Sequence, residues 1–475
     1  MYLLLARPRI GFFPLRHLAL ATLVAAVVPA CSGSVNAEDS LNGGDDDDLE
    51  DEETAGPGPF ADITSRLHEQ IDTLIVVEWT QEAPTESSFV EYSFDGGDDW
   101  LTSPKKPGLA DGHVHQEYLF GVPEGADVEF RIIARDDGKK LASDMYEETN
   151  GEAPEAMPRP IVEHYDPDLA SEHRWMLGAV SEKGEHGYGG PHWIYIVNRD
   201  GDVTWYYRPI GGDVGQLNQG FWPRLARDGT HITIDRQHRT KFGSLLFTTL
   251  DLQTHQAEID LPFQQDCYDV TPEGSVLYNN DDDDKLYEVW PDGDTREVWE
   301  CPFAMGCYSN TVNYDPASGM VFMSFPYPNT VARIDLETGE YTLWGDLGDW
   351  TFEPSHFGFD FNHWPNMTPQ GTFMVSSHLP GTESHRFMEF EVDEAAQTLR
   401  RIWDYGEGTT DWAEERGMVA RVPGGNAIAN YGPTGIIVEV TPDQQVAWRI
   451  VFPDRLLGNN ILIDDLHALN RGPQG

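Results

Sequence analysis

Residues Asp360–Ser377 read DFNHWPNMTPQGTFMVSS, and this stretch decides the fold. It joins a histidine, His363, to a Pro-x-Gly turn and a short apolar strand, which are the pieces of a repeated β architecture. A similar arrangement occurs upstream in Trp222–Thr230 (WPRLARDGT). Phe221, the residue directly before it, takes the place of His363. One repeat therefore carries an imidazole at a position where another carries a phenyl ring.

Strand-turn-strand units recur over the last two thirds of the chain, about 40 to 57 residues apart, which is the size of a propeller blade. Helical periodicity is almost absent, so we predict an all-β fold with a six-bladed β-propeller over residues 165–475. Residues 455–475 predict either a closing strand at Ile461–Ile463 or a flexible tail. The six units are Ile194–Tyr206, Leu245–Asp251, Leu286–Gly293, Val331–Gly339, Phe387–Asp393 and Ile436–Asp443.

In a propeller, equivalent positions of successive blades converge on one funnel around the axis. The residues between the units are therefore expected to line a single site, although they lie far apart in the sequence. These positions are Phe221, Asp266, Tyr308, His363 and Gly417.

A small β-sandwich is predicted before the propeller, over residues 69–150. Its runs alternate apolar and polar residues between turns rich in Gly, Pro and Asp. Their order resembles a fibronectin type III or immunoglobulin-like domain, with Trp79 as the core tryptophan, and implies a spacer or docking module. The runs are Leu74–Thr80, Ser88–Phe94, Gln116–Phe120 and Ala126–Ala134.

The charge of the chain limits its partners. Its 475 residues include 81 acidic and 31 basic side chains, which gives a formal net charge of −50 and a pI of about 4.4. Because such a surface repels polyanions, we predict no nucleic-acid partner and no general attraction to anionic lipid. The excess of acids is interpreted as a strongly solvated exterior.

The first residues are typical of an exported protein. Residues 1–30 combine arginines with the apolar run Leu18–Val27 and predict a signal peptide. Ala30 before Cys31 resembles the lipobox of bacterial lipoproteins, which implies lipidation of Cys31. Pro29 is unusual there, so ordinary cleavage or a retained anchor stays open. Residues 31–68 hold an acidic run and predict a disordered, lipid-anchored linker.

These features predict an exported lipoprotein of the cell envelope, either periplasmic or at the outer membrane or cell surface. The lipid would be its only contact with the membrane, since no later stretch is apolar enough to span one.

Three further cysteines follow in the main part of the chain. In an exported protein the close pair Cys301 and Cys307 favours a small-loop disulfide and leaves Cys267 buried and free, although other pairings stay open. No spacing of cysteine and histidine is typical of a zinc site, so we predict no metal and no cofactor.

The repeats resemble the bacterial arylsulfotransferase family, over roughly residues 170–453. The resemblance implies a six-bladed propeller that transfers a sulfuryl group from an aryl sulfate to a phenol without a nucleotide donor. The implied partner is a small phenolic or aryl sulfate molecule. The stretches that carry the resemblance are Ser309–Asp315, Ala332–Gly339, His363–Ser377, Ser384–Asp393 and Ile402–Gly406.

By this resemblance His363 is the nucleophile that takes up the sulfuryl group. Asn310 falls on the asparagine of the family's His-x-Asn motif. The histidine of that motif is Tyr308 here, and Pro326 stands where the family has an arginine. The early-blade histidine is replaced by Phe221 or Asp266. The candidate substrate-binding residues are Asn310, Tyr308, Phe221, Arg224, Asn366 and His378, of which the last three are possible replacements for the absent donors, along with His385 and Arg386.

Two functions compete at this stage. The first is sulfuryl transfer through His363, and the second is a non-catalytic propeller with an aromatic funnel that binds a ligand or a partner. The alternative for His363 is a histidine hydrogen-bonded at a blade rim, and for Asn310 a turn cap. His378, His385 and Arg386 are more typical of a surface or a rim. The funnel would consist of Phe221, Trp222, Tyr308 and Trp364.

Overall fold

The computed structural model describes most of the chain from Gly56 onward, and Phe221, Cys31 and Cys307 lie outside the described residues. The described ranges are 56–182, 192–208, 222–238, 242–253, 255–280, 282–303, 308–355, 358–378, 385–409, 411–413 and 416–472.

Ten strands form a β-sandwich in which a three-stranded sheet, β2-β3-β7, faces a larger sheet built around β8 and β4. Trp79, Tyr92 and Phe130 are fully buried between them, as alternating strand patterns require. The strands are β1 Gly56–Pro57, β2 Phe60–Leu67, β3 Ile75–Gln81, β4 Thr85–Ser93, β5 Leu101–Thr102, β6 Lys106–Gly108, β7 Val114–Leu119, β8 Asp127–Asp136, β9 Lys139–Ala142 and β10 Tyr146–Thr149.

The predicted end of the linker at residue 68 is wrong. Strands β1 and β2 lie within the range 31–68, and β2 pairs with β3 along most of its length. Phe60 and Ile63 pack against the sandwich core, so this segment has apolar surface to bury. The acidic run directly before it hid this short alternating pattern.

The remaining strands of the described residues form six sheets, each with four antiparallel strands, as blades require, and β27 joins one of them in parallel. The strands are β11 Ile161–Tyr165, β12 Trp175–Glu182, β13 His192–Asn198, β14 Val203–Tyr207, β15 Arg224–Leu225, β16 Ile232–His238, β17 Phe242–Thr248, β18 His255–Pro262, β19 Gln264–Val270, β20 Val276–Asn280, β21 Lys285–Val289, β22 Thr295–Glu300, β23 Thr311–Asp315, β24 Met320–Phe325, β25 Thr330–Asp335, β26 Tyr341–Gly345, β27 Thr351–Glu353, β28 His363–Met367, β29 Phe373–His378, β30 His385–Asp393, β31 Thr398–Tyr405, β32 Met418–Arg421, β33 Ala427–Asn430, β34 Ile436–Val440, β35 Val446–Val451 and β36 Arg455–Ile463.

Blade 1 consists of β36, β12, β13 and β14, and blades 2 to 4 follow as β15–β18, β19–β22 and β23–β26. Blade 5 is β28–β31 with β27 added, and blade 6 is β32–β35 with β11 added at its outer edge. The C-terminal strand β36 completes blade 1 by pairing with β12. Of the two readings of residues 455–475, the closing strand is therefore confirmed, and the propeller begins at Ile161.

Side chains of the first strands, together with Asn430 of β33, join each blade to the next and close the ring. Arg224 of blade 2 reaches Cys267 of blade 3, and Asp269 of blade 3 accepts the Tyr314 backbone N–H of blade 4. In the other four contacts between neighbouring blades, an asparagine side-chain amide donates to a backbone carbonyl. The pairs are Asn313 with Pro365, Asn366 with Val419, Asn430 with Gly458 and Asn459 with Pro223. The all-β, six-bladed prediction is confirmed.

The sandwich and blade 1 share one hydrophobic core. Ile71, Leu74 and Phe120 of the sandwich belong to the same buried cluster as Trp175 and Trp205 of the propeller. The two predicted domains are therefore packed as one body, because separating them would expose this apolar surface to water.

Among the described residues the helices are two single 3-10 turns, Gly432–Thr434 and Ala468–Asn470. Neither has the length or the apolar run that crossing a bilayer requires.

Candidate functional site

His363 is the first residue of β28 in blade 5, and its side chain is 4% exposed. Its Nδ1 lies 2.9 Å from the Gly417 carbonyl oxygen of blade 6. Because a carbonyl oxygen only accepts, Nδ1 carries the hydrogen, and the neutral ring keeps its lone pair on Nε2. Burial lowers the pKa of His363 to about 3, with smaller effects of His378 and Arg416. The imidazole is thus neutral at ordinary pH, with Nε2 as the nucleophilic atom.

Two more imidazoles lie beside His363. The rings of His378 and His385 are 4.1 Å apart, and the charge of His378 lowers the pKa of both His363 and His385. His378 Nδ1 donates to the Ala413 carbonyl at 2.7 Å, while His385 Nε2 lies 2.8 Å from Ser376 Oγ. Burial is the main reason why the pKa of His385 falls well below its ordinary value. The prediction of a surface position is wrong for both, since they are 4% and 0% exposed, although both stand at strand ends, where β29 ends and β30 begins.

Arg416 supplies a permanent positive charge to this group. It is 8% exposed, its backbone carbonyl accepts from His378 Nε2, and its charge lowers the pKa of His363. The same charge, after burial, helps to lower the pKa of His192 to about 4. His363, His378, His385 and Arg416 are called the basic cluster below. A buried group rich in N–H donors is suited to an anion.

The backbone around the basic cluster is strained. Phe361, Trp364 and Arg416 have φ values of 43°, 57° and 69°, which bulky side chains rarely adopt. Such conformations cost about 1–3 kcal/mol each and concentrate at functional sites. Gly417, at φ 103°, could not be replaced without movement, because a Cβ there would lie 2.4 Å from Ser376 Oγ and 2.5 Å from His385.

Two tryptophans stack across the propeller axis next to this cluster. Trp222 of blade 2 and Trp364 of the opposite blade 5 have ring centroids 5.4 Å apart at 27°, and His363 lies 6.4 Å from Trp222. Since the blades face each other across the axis, this stack fills the centre of the ring. Of the predicted aromatic funnel, the structure brings these two rings together, while Tyr308 is 60% exposed.

On the other side of the stack is an axial cavity of about 500 Å³, whose lining includes Arg224, Asp269, Asn313, Trp364 and Asn366. The Arg224 guanidinium lies 5.0 Å from the Trp364 ring and donates to Asn313 Oδ1 at 2.8 Å. Its Nη1 is 3.3 Å from Asp269 Oδ1. Asn366 Nδ2 donates to the Val419 carbonyl at 2.8 Å. Arg224 and Asn366 therefore line this cavity, whereas His363 and His378 belong to the basic cluster.

Asn310 directly precedes β23 of blade 4. Its Oδ1 accepts from the Ser324 hydroxyl, and the neighbouring Thr311 Oγ1 accepts from the Trp364 backbone N–H at 3.3 Å. The side chain is 8% exposed and is thus held by its own blade.

Sequence reasoning missed Arg416 and placed Ser376 only within a strand. The signal for Arg416 was present in the repeat, because it directly precedes Gly417, which aligns with His363. The contact between blades that brings Arg416 close to His363 was not visible in the sequence.

The predictions for the cysteines are confirmed in part. Cys267 is free and buried, as expected, and Arg224 Nη2 lies 3.4 Å from its sulfur. Cys301 is disulfide-bonded. The pairing with Cys307 stays a prediction, since Cys307 lies outside the described residues. Within the described ranges no three His, Cys, Asp or Glu side chains are grouped as metal ligands.

No family model matches the chain, and no curated protein matches it in sequence. Solved structures similar to it include a virginiamycin B lyase from Staphylococcus aureus, with 12% identity, a TM-score of 0.38, and coverage of 62% of this chain and 89% of that one. An auxiliary nutrient binding protein from Bacteroides ovatus has 12% identity, a TM-score of 0.38, and coverage of 87% and 98%. A functionally unknown protein from Desulfotomaculum acetoxidans has 10% identity, a TM-score of 0.42, and coverage of 70% and 95%.

Proposed function

We propose that this protein transfers a sulfuryl group from an aryl sulfate to a phenol through His363. The observation that carries the proposal is the hydrogen bond from His363 Nδ1 to the Gly417 carbonyl. It fixes the tautomer in which Nε2 holds the lone pair, and burial keeps the ring neutral. A neutral, oriented imidazole nitrogen is what nucleophilic attack on sulfur requires.

The reaction divides into two displacements. His363 Nε2 forms a bond to sulfur while the bond between sulfur and the aryl oxygen breaks, and the phenolate leaves and takes up a proton. The acceptor phenol then loses its proton and its oxygen attacks the sulfur, which breaks the N–S bond and restores the neutral imidazole. No electrons are exchanged, and the proton taken up by one phenol is supplied by the other.

The sulfuryl oxygens are negative throughout and require fixed donors. The buried guanidinium of Arg416 is the donor that this proposal uses, in the place of the family residues that Tyr308 and Pro326 replace. Removing one such donor typically reduces turnover by about 10² to 10³.

The test is phenol release from an aryl sulfate in the presence of an acceptor phenol. The parent protein should release phenol and His363→Ala should not. His231→Ala is the matched control, since His231 is also a buried propeller histidine with a pKa lowered by burial, but it interacts with Thr230 and Phe247 instead. Equal activity of parent and His363→Ala would refute the proposal, and so would a folded parent without activity.

A second candidate is a non-catalytic binding propeller, which is favoured by the axial cavity rather than by the basic cluster. Its volume of about 500 Å³ and its lining by Arg224 and Trp364 suit a small ligand with a flat or anionic group. Thermal shifts of the parent and Arg224→Met with a set of aromatic acids would test it. A shift in the parent that Arg224→Met abolishes supports binding, and no shift in a folded parent counts against it.

We further propose that the chain is exported and lipidated at Cys31 and that its sandwich is fibronectin-like. The apolar run before Cys31 and the buried Trp79 support these two points. Detergent partitioning of the full chain and of Cys31→Ala, expressed in a bacterium, would test the first. Loss of the protein from the detergent phase in Cys31→Ala is expected.

A further inference from the structure

An exposed tyrosine stands at the outer end of a row of rings that leads to the basic cluster. Tyr327, in the turn between β24 and β25 of blade 4, is 72% exposed, the highest value among the large hydrophobic side chains of the described residues. Its ring meets Phe361 edge to face at 5.0 Å, and Phe361 meets His378 at 5.8 Å and 87°. The row therefore runs from solvent to His378, whose charge acts on His363.

Phe361 is held in this row by a strained backbone conformation. Phe361 has a φ of 43°, and its backbone N–H donates to Asn329 Oδ1 at 2.7 Å. The Asn329 side chain comes from the same turn as Tyr327, so one amide ties the two rings together. A strained phenylalanine and a solvent-facing tyrosine, fixed to each other, are not explained by core packing.

Two carboxyl groups beside the row of rings determine which kind of ligand group can bind there. Asn329 Nδ2 lies between Asp346 Oδ2 at 3.2 Å and Asp360 Oδ1 at 3.4 Å. Burial and the nearby Asp346 raise the pKa of Asp360. Two carboxyl groups repel a sulfate ester, whereas the ring edges offer contact to an uncharged aromatic group.

We propose that Tyr327 and Phe361 form the binding platform for the neutral phenol that enters the His363 site. This inference rests on the proposed function, since it assigns the acceptor phenol a place within that same site. The phenol ring packs on Tyr327 and Phe361, and its hydroxyl group points inward toward the basic cluster.

The experiment measures phenol binding apart from transfer. The probe is 2-naphthol, a fluorescent phenol that is uncharged at neutral pH, titrated into the full chain carrying His363→Ala. Tyr327→Ser in this background should weaken binding by about tenfold, since an aromatic contact of this kind contributes on the order of the free energy that a tenfold change represents. Tyr327→Phe, which keeps the ring, should bind within about twofold of the parent.

Tyr341→Ser is the matched control, because Tyr341 is an exposed tyrosine of the same blade that instead packs on Trp299. Equal binding by Tyr327→Ser and Tyr341→Ser would overturn the platform, as would the absence of saturable binding. If 2-naphthol binding depends on Tyr327 but the parent transfers no sulfuryl group, the proposed function fails and the platform stands as a phenol-binding site.

Discussion

Asp269→Ala should destabilise the propeller more than the loss of any single surface ion pair. The Asp269 carboxylate is 3% exposed and pairs with Arg227 at 2.8 Å and with Arg224 at 3.3 Å. It also accepts backbone N–H groups of Val270 at 2.8 Å and of Tyr314 at 2.7 Å. Blades 2, 3 and 4 thus meet at one carboxylate.

The expected loss in the free energy of unfolding follows from the positive charge that the substitution leaves without its carboxylate. The Arg224 side chain is 11% exposed, so removing Asp269 leaves a largely buried positive charge without its carboxylate. Breaking a buried pair in this way costs about 3–5 kcal/mol. Arg227 is 30% exposed and adds little, because solvent screens it.

The assay is urea unfolding followed by tryptophan fluorescence, comparing midpoints at equal slope. Glu394→Ala is the control, since Glu394 is 58% exposed in its pair with Arg333 and its removal should cost about 0–1 kcal/mol. The double variant Asp269→Leu with Arg224→Met should recover part of the loss, because no buried charge remains, although the backbone N–H groups of Val270 and Tyr314 still lose their acceptor. A midpoint for Asp269→Ala equal to that of Glu394→Ala would refute the reasoning.

Four further predictions concern the site and the ring. Gly417→Ala should abolish phenol release and lower the unfolding midpoint, because its Cβ would lie 2.5 Å from His385; near-parental activity would contradict this. The pH profile of phenol release should lack an acidic limb near pH 6.5, since the pKa of His363 in the folded state is about 3. The same pKa shift makes the free energy of unfolding fall as the pH decreases from 6.5 to about 3, because the unfolded chain takes up the proton first, and a His363→Ala variant should show a shallower fall. Deleting residues 455–475 should leave β12 with an unpaired edge and yield aggregated protein, whereas a soluble monomer with the parental midpoint would contradict the role of β36.

The architecture was largely predictable, because alternation and turn residues are local signals. The units around Leu286, Phe387 and Ile436 lie in separate blades, as their spacing predicted, and the structure shows that each contains the third strand of its blade. The start of the sandwich was misjudged, since Phe60 and Ile63 are only two apolar positions next to a long acidic run. Their partners in the core lie on other strands, and no local pattern shows this.

Within the candidate site, only His363 was predictable from the sequence. His363 has a sequence position that a repeat can identify, but its tautomer depends on the Gly417 carbonyl, which comes from the next blade. The predicted single funnel was divided by the stack of Trp222 on Trp364, so Arg224 and Asn366 face a different space. Side chains that meet across an axis carry no signature in their own segments.

The pairing of β36 with β12 also affects how the protein folds during its synthesis. Strand β12 is synthesised before blades 2 to 6, whereas its partner Arg455–Ile463 is synthesised after them. Blades 2 to 6 can form in order during translation, but the first blade keeps an open edge until β36 has been synthesised. Contacts of such long sequence separation form slowly, so this interval is when the nascent chain is most exposed to wrong partners. The net charge of −50 offers protection during that interval, because chains that repel one another do not join open edges.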